Sequence, residues 1–231
     1  MTTVARHLGL GLCIVGLVAC GDDGSAGDDG TDPSTDSGAP LECGDVVLPG
    51  HVVIETAEDL EQLDGVRVIE GELQLNRTTF TNVDFLGCIE EVGGELTLFG
   101  NEALDDLSGL DQLLRTGGGM VISENPALTE IADLPSLLEI GDSLIIQGND
   151  ALTGISGMSS LATIGTSMII RENDALVHID GLQGLRSVGA LFAVTHNDSL
   201  CISSINAVGE GIVDPAEPRD NWSTRANDGE C

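Results

Sequence analysis

PSLLEIGDSLIIQGNDALTGISGM, residues 135–158, is one copy of a 24-residue unit that fills the middle of this chain. It aligns without gaps to GCIEEVGGELTLFGNEALDDLSGL (87–110), DQLLRTGGGMVISENPALTEIADL (111–134), SSLATIGTSMIIRENDALVHIDGL (159–182) and QGLRSVGALFAVTHNDSLC (183–201). A fixed period of this length marks a solenoid, in which each unit buries its apolar face only by stacking on its neighbours. Positions 10 and 12 of the unit are large and apolar, as in Leu96/Leu98, Met120/Ile122, Leu144/Ile146, Met168/Ile170 and Phe192/Val194. Spacing of two means a strand with one face inward.

The remaining columns define the corners. Position 15 is Asn101, Asn125, Asn149, Asn173 and Asn197, a residue whose amide can bond along the stack and which tolerates a left-handed backbone. Position 7 is Gly93, Gly117, Gly141, Gly165 and Gly189, which suits a tight corner. Apolar residues at positions 18, 21 and 24, as in Leu104/Leu107/Leu110, fit further short strands. Gly, Asn and β-branched residues recurring inside the unit argue against a helical repeat. The expected class is all-β: a right-handed parallel β-helix or leucine-rich-like solenoid of about six rungs, capped by short helices.

Outward from the repeat, the N-terminus changes character twice. Residues 1–19 place Arg6 and His7 before an apolar run from Leu8 to Ala19, the pattern of an export signal and too short for an ordinary membrane span. Residues 20–42 are Gly, Asp, Ser, Thr and Pro with little to bury, so they read as a disordered acidic linker, roughly 25 Å in mean reach. The folded domain is expected over 43–231. There His51–Ile54 reads as a strand and Thr56–Leu63 as a short helix, the pair capping the open end, and Val66–Leu86 reads as an irregular first rung. Past Cys201, residues 203–208 read as a short helix stopped by Gly209. Trp222, Thr224 and Asn227 then return to the spacing of positions 10, 12 and 15.

That register puts Cys201 and Cys231 on the same position of adjacent rungs. Strands ~4.8 Å apart lie within disulfide range, so these two are expected to pair, leaving Cys43 for Cys88 by elimination.

Two resemblances follow from these residues. Leu17-Val18-Ala19-Cys20 resembles the lipobox of bacterial lipoproteins, which implies that Cys20 becomes the lipid-bearing N-terminus. The run VIEGELQL (68–75), the Asn-cornered rungs and the closing NDSLC (197–201) resemble the receptor L domain. That solenoid occurs in the extracellular parts of the insulin and epidermal-growth-factor receptors and in many bacterial surface lipoproteins. The resemblance covers roughly residues 50–231 and implies that the broad sheet face contacts ligand. A family Trp shortly after that Cys is replaced here by Ala207 and Val208, a departure in the C-terminal cap.

Composition narrows the function. The 231 residues carry 39 acids, 8 Arg, no Lys and a formal charge of −31, which repels nucleic acid and anionic headgroups. Aromatic residues are 2% with no Tyr, so stacking platforms for sugars or single strands are scarce. His51, His178 and His196 sit at unrelated rung positions, and no HExxH, GxSxG or P-loop occurs, so no enzyme is expected and no cofactor is implied. Position 16 forms an acidic column with Glu102, Asp150, Asp174, Asp198 and Asp228, whose reading is solvated corner residues, with calcium at Asp150, Asp174 and Asp198 the weaker candidate.

Position 11 must face outward when 10 and 12 face in, yet it reads Gln74, Thr97, Val121, Ile145, Ile169 and Ala193. Four apolar residues in a row on a solvated face suit a binding surface, with Phe99, Gln147 and Arg171 of position 13 beside it. The bland alternative is that β-branched residues were chosen for strand propensity or lie beneath a cap. The expectation is a lipid-anchored protein of the bacterial envelope, at the outer membrane or cell surface, that recognises a protein or envelope component. A passive structural lipoprotein is the alternative, and a polysaccharide-cleaving β-helix stands last.

Overall fold

Because equivalent residues of successive units are stacked, the 24-residue period becomes a set of parallel ladders. A computed structural model describes residues 43–214, 222–227 and 229. The leader, Cys20, the acidic linker, Asp228 and Cys231 lie outside the described residues. One broad sheet takes eight strands in chain order: Val52–Ile54, Leu73–Asn76, Leu96–Phe99, Met120–Ser123, Leu144–Gln147, Ser167–Arg171, Leu191–Thr195 and Trp222–Ser223. A narrow sheet takes seven short ones, from Val46–Leu48 to Ser187–Val188. A third side holds the two-stranded pair Glu130–Ile131 and Gly154–Ile155. Register between full rungs is the sequence period itself, with Leu144 beside Met120 and Met168. This is the all-β solenoid the repeat implies.

The core runs along the axis as columns. Leu96, Leu98, Leu104, Leu107 and Leu110 are at most 1% exposed, and so are their counterparts in the next three rungs. Two more buried columns escaped the sequence reading: Ile89, Leu113, Leu137, Leu161 and Leu185 at position 3, and Val92, Thr116, Ile140, Ile164 and Val188 at position 6. They stabilise the narrow-sheet side, and Thr116 is tolerated there because its hydroxyl donates to the Gly118 carbonyl at 3.2 Å.

The glycine column has a different cause from the one the sequence suggests. None of Gly93, Gly117, Gly141, Gly165 and Gly189 has a positive φ. What each requires is closeness: a Cβ on Gly117, Gly141, Gly165 or Gly189 would overlap the carbonyl oxygen of the glycine one rung earlier, and one on Gly93 would overlap the Glu70 carbonyl. The left-handed backbone falls instead on position 14, at Arg77, Gly100, Glu124, Gly148, Glu172 and His196, with φ from 55° to 68°. Asn at position 15 is therefore not the left-handed residue. Each non-glycine member carries a strain of about 1 kcal/mol that the rung overrides.

The asparagines are buried and saturated. Asn149 Oδ1 accepts the Asn125 backbone N–H at 3.0 Å and the Asn125 Nδ2–H at 3.3 Å. Asn149 Nδ2 donates to the Ile122 carbonyl at 3.0 Å and to Asn173 Oδ1 at 3.2 Å. The ladder continues through Asn101, Asn173 and Asn197 to Asn227, whose Nδ2 donates to the Val194 carbonyl at 2.7 Å. Thr78, not foreseen, occupies the first step: its N–H and hydroxyl both donate to Asn101 Oδ1, at 2.9 and 2.8 Å.

Both ends differ from the sequence reading. The strand Val52–Ile54 does not cap the open end; it pairs with Leu73–Leu75 as the edge of the broad sheet, while Val46–Leu48 edges the narrow one. The coil thus begins one turn before the Val66–Leu86 rung. A 3-10 helix, Ala57–Leu63, lies between those turns. Its Asp59 carboxylate accepts the N–H groups of Glu55 and Thr56 at 3.0 and 2.8 Å, which hold its pKa below the ordinary value. Cys43–Cys88 is a disulfide across 45 residues, a closure expected to contribute about 3–4 kcal/mol.

At the far end the helix spans Ile202–Gly211 and passes through Gly209, against whose Cα the Trp222 ring packs. Its Ser204 hydroxyl accepts the Ile179 N–H at 2.9 Å and donates to Asp180 at 2.7 Å, where a further rung would have bonded. Phe192 pairs with Trp222 as expected, and their rings stack at 4.5 Å. Cys201 is disulfide-bonded and makes an isolated parallel β-bridge with Gly229, while its expected disulfide partner Cys231 lies outside the described residues.

Two substitutions test these columns by reversible denaturation. Asn149→Ala leaves several buried polar groups without a partner and is expected to cost roughly 3–5 kcal/mol. Gly141→Ala drives a methyl into the Gly117 carbonyl and is expected to cost about 2–3 kcal/mol, whereas a corner with room for a Cβ at this ordinary φ would make the change nearly neutral.

Candidate functional site

The broad sheet presents its outward side chains in straight rows, because every strand is in register with the next. Val53, Gln74, Thr97, Val121, Ile145, Ile169, Ala193 and Ser223 form one such row. Gln74 through Ala193 are half-buried and Val53 is 44% exposed. Neighbours ~4.8 Å away shield each other's flanks, which accounts for half-burial, so among the described residues the row is not sealed beneath a cap. The structure therefore brings Val121, Ile145, Ile169 and Ala193 together on one surface that no other described element seals.

Position 13 makes the adjacent row. Arg171 is exposed, and its Nε donates to Gln147 Oε1 at 2.9 Å. Gln147 Nε2 in turn donates to Glu172 Oε2 at 2.9 Å. Phe99 is half-buried, with the Arg77 guanidinium 5.7 Å from its ring centroid. Ser123, between them, is 8% exposed.

The face has two unlike halves, which column-by-column reading did not disclose. Its first full strands carry a polar web: Gln74 donates to Glu72 at 3.0 Å, Asn76 to Gln74 at 3.3 Å, and Thr97 to Glu95 at 2.9 Å. From Met120 to Thr195 the outward positions 9, 11 and 13 hold no acid: position 9 is Gly119, Ser143, Ser167 and Leu191. The signal lay in position 9, where Glu72 and Glu95 give way to uncharged residues.

Other candidates do not assemble. Asp150, Asp174 and Asp198 are exposed on successive rungs, and among the described residues no group of three or more His, Cys, Asp or Glu side chains is placed to hold a metal ion. The rung spacing keeps these carboxylates apart while the buried amides take the inward places. A shallow groove follows that corner, lined by Arg77, Gly100, Glu102, Glu124 and Asp150 among others. The histidines serve local packing on separate parts of the coil: His51 Nδ1 accepts the Glu72 N–H at 3.2 Å, and the His178 ring lies over Gly154, where any side chain would collide with it. On the third side, burial raises the Asp133 pKa above the usual carboxylate value, and the charge of Asp106 adds to the effect.

Among the described residues no helix is long and apolar enough to cross a membrane. Neither a protein-family model nor a curated protein matches the chain.

Because Ile145 and Ile169 are only half-buried, Ile145→Thr and Ile169→Thr keep the branched strand-former while removing little buried area. Each is expected to change stability by no more than about 1 kcal/mol in thermal unfolding. A fall of several kcal/mol would show that the row is covered.

Proposed function

We propose that this chain is a lipid-anchored protein of the bacterial envelope whose solenoid is a non-catalytic recognition module of the receptor L domain kind. Cys20 is the acylated residue, residues 20–42 are the tether, and the ligand is a protein or other envelope component. The observation that supports recognition over passive scaffolding is the row Val121, Ile145, Ile169 and Ala193, which no other described element seals, on a chain with a formal charge of −31. A highly charged chain gains nothing in solubility from four apolar residues on a water-facing sheet, whereas a partner that desolvates them gains apolar burial.

Two measurements test this reading. Cys20→Ala is expected to move the protein out of the membrane fraction, and retention with normal processing would remove the anchor from the model. For recognition, cross-linking in intact cells is compared between the wild type and the Ile145→Thr/Ile169→Thr double variant. Specific adducts are expected to fall by about tenfold as central anchors are lost. Identical adducts would leave the face without a role and make the chain a passive scaffold.

A further inference from the structure

Carboxylates lie on most of this coil. The narrow sheet turns Glu91 and Glu139 outward, the third side holds Asp106, Asp111, Glu130 and Asp133, and the first full broad-sheet strands carry Glu72 and Glu95. The four strands from Met120 to Thr195 are the exception. Their outward rows hold no acid, and their one charge is Arg171, which is exposed and makes no ion pair among the described residues. Two chains of formal charge −31 repel wherever acids oppose acids, so this is the side on which copies approach at least cost.

The rows are also complementary to themselves. A two-fold axis parallel to the strands, midway between Ile145 and Ile169, lays one face on another with strand order reversed. Ile145 then opposes Ile169 of the second copy, and Val121 opposes the small Ala193. Gln147 meets Arg171, an amide oxygen for a guanidinium. At the corner Glu124 meets His196, both exposed and both in the left-handed conformation, with φ of 55° and 57°. Glu172 meets Gly148, which offers no opposing side chain. From position 9 to position 14 of these strands no acid faces an acid.

We infer that the acid-free half of the broad sheet is a self-association surface that takes a second copy of this chain face to face. This deepens the recognition reading of the same face by naming one partner. The four strands at ~4.8 Å spacing and about 13 Å long present roughly 250 Å² in projection. That is well short of the ~800 Å² per partner of a stable dimer, so the contact is weak and reversible. Confinement to a membrane raises the effective concentration at which it acts.

Sedimentation of the full-length chain carrying Cys20→Ser, which removes any acyl group, measures the association directly. A reversible monomer–dimer equilibrium is expected, with a dissociation constant on the order of 100 μM. Ile145→Asp, which sets an acid against the second copy's Ile169, is expected to weaken it by at least about tenfold. His196→Glu, on the exposed corner and harmless to the core, opposes two glutamates and is expected to weaken it about threefold or more, and adding Glu124→His is expected to restore it. A monomer at every concentration up to about 1 mM overturns the inference. A dimer indifferent to Ile145→Asp and His196→Glu overturns it equally. Either result leaves the recognition reading intact, because that is judged by cross-linking in cells.

Discussion

The stacked amide of position 15 is the interaction on which the coil depends. Where the chain leaves the broad sheet it turns through a left-handed residue, and the ladder of the sheet cannot continue around that corner. Two buried backbone groups per rung, the N–H of position 15 and the carbonyl of position 12 in the preceding rung, are met by one asparagine side chain. No other side chain of that size has two donors and an acceptor held in one plane. Each amide is bonded to the next, so the corner is satisfied cooperatively along the axis.

The other columns follow from the resulting closeness of rungs. With carbonyls stacked at the position 7 corner there is no room for a Cβ, which explains glycine without any appeal to backbone freedom. Apolar columns at positions 3, 6, 10, 12, 18, 21 and 24 close the interior between these two corners. A solenoid built this way has no self-limiting end, and the chain supplies one at each terminus. Cys43–Cys88 fastens the first turns together. The helix Ile202–Gly211 uses Ser204 to occupy the groups that a further rung would have taken.

A flat, in-register sheet has a consequence for recognition as well. It converts a choice made once per unit into a row running the length of the molecule, so a change in one column changes a surface. The replacement of Glu72 and Glu95 by Gly119, Ser143 and Ser167 is such a change. It separates a polar, hydrogen-bonded half from an apolar half on the same sheet, and the second half is where an acidic chain is least repelled by another acidic chain.

The period, the strand at positions 10–12, the buried asparagine column, the returning rung at Trp222 and Asn227 and the Cys43–Cys88 pairing were all legible in the sequence. The disulfide was reached by elimination and the last rung by its internal spacing; the rest were legible because in a stacked coil residues 24 apart are neighbours, so spacing in the chain is contact in space. What only the tertiary structure decided lies where that equivalence fails. The turn containing Val46–Leu48 and Val52–Ile54 has no asparagine corner to announce it, so the second segment reads as a strand but its place at the edge of the broad sheet, and the strand Val46–Leu48 itself, are shown only by pairing. Thr78 replaces an asparagine because the first step of the ladder needs donors alone. The left-handed residue moved from Asn to position 14, occupied by Arg, Gly, Glu and His in turn, because the corner geometry imposes that conformation whatever the side chain prefers. The division of the broad face is likewise a property of several columns taken together, which exists only once the strands lie side by side.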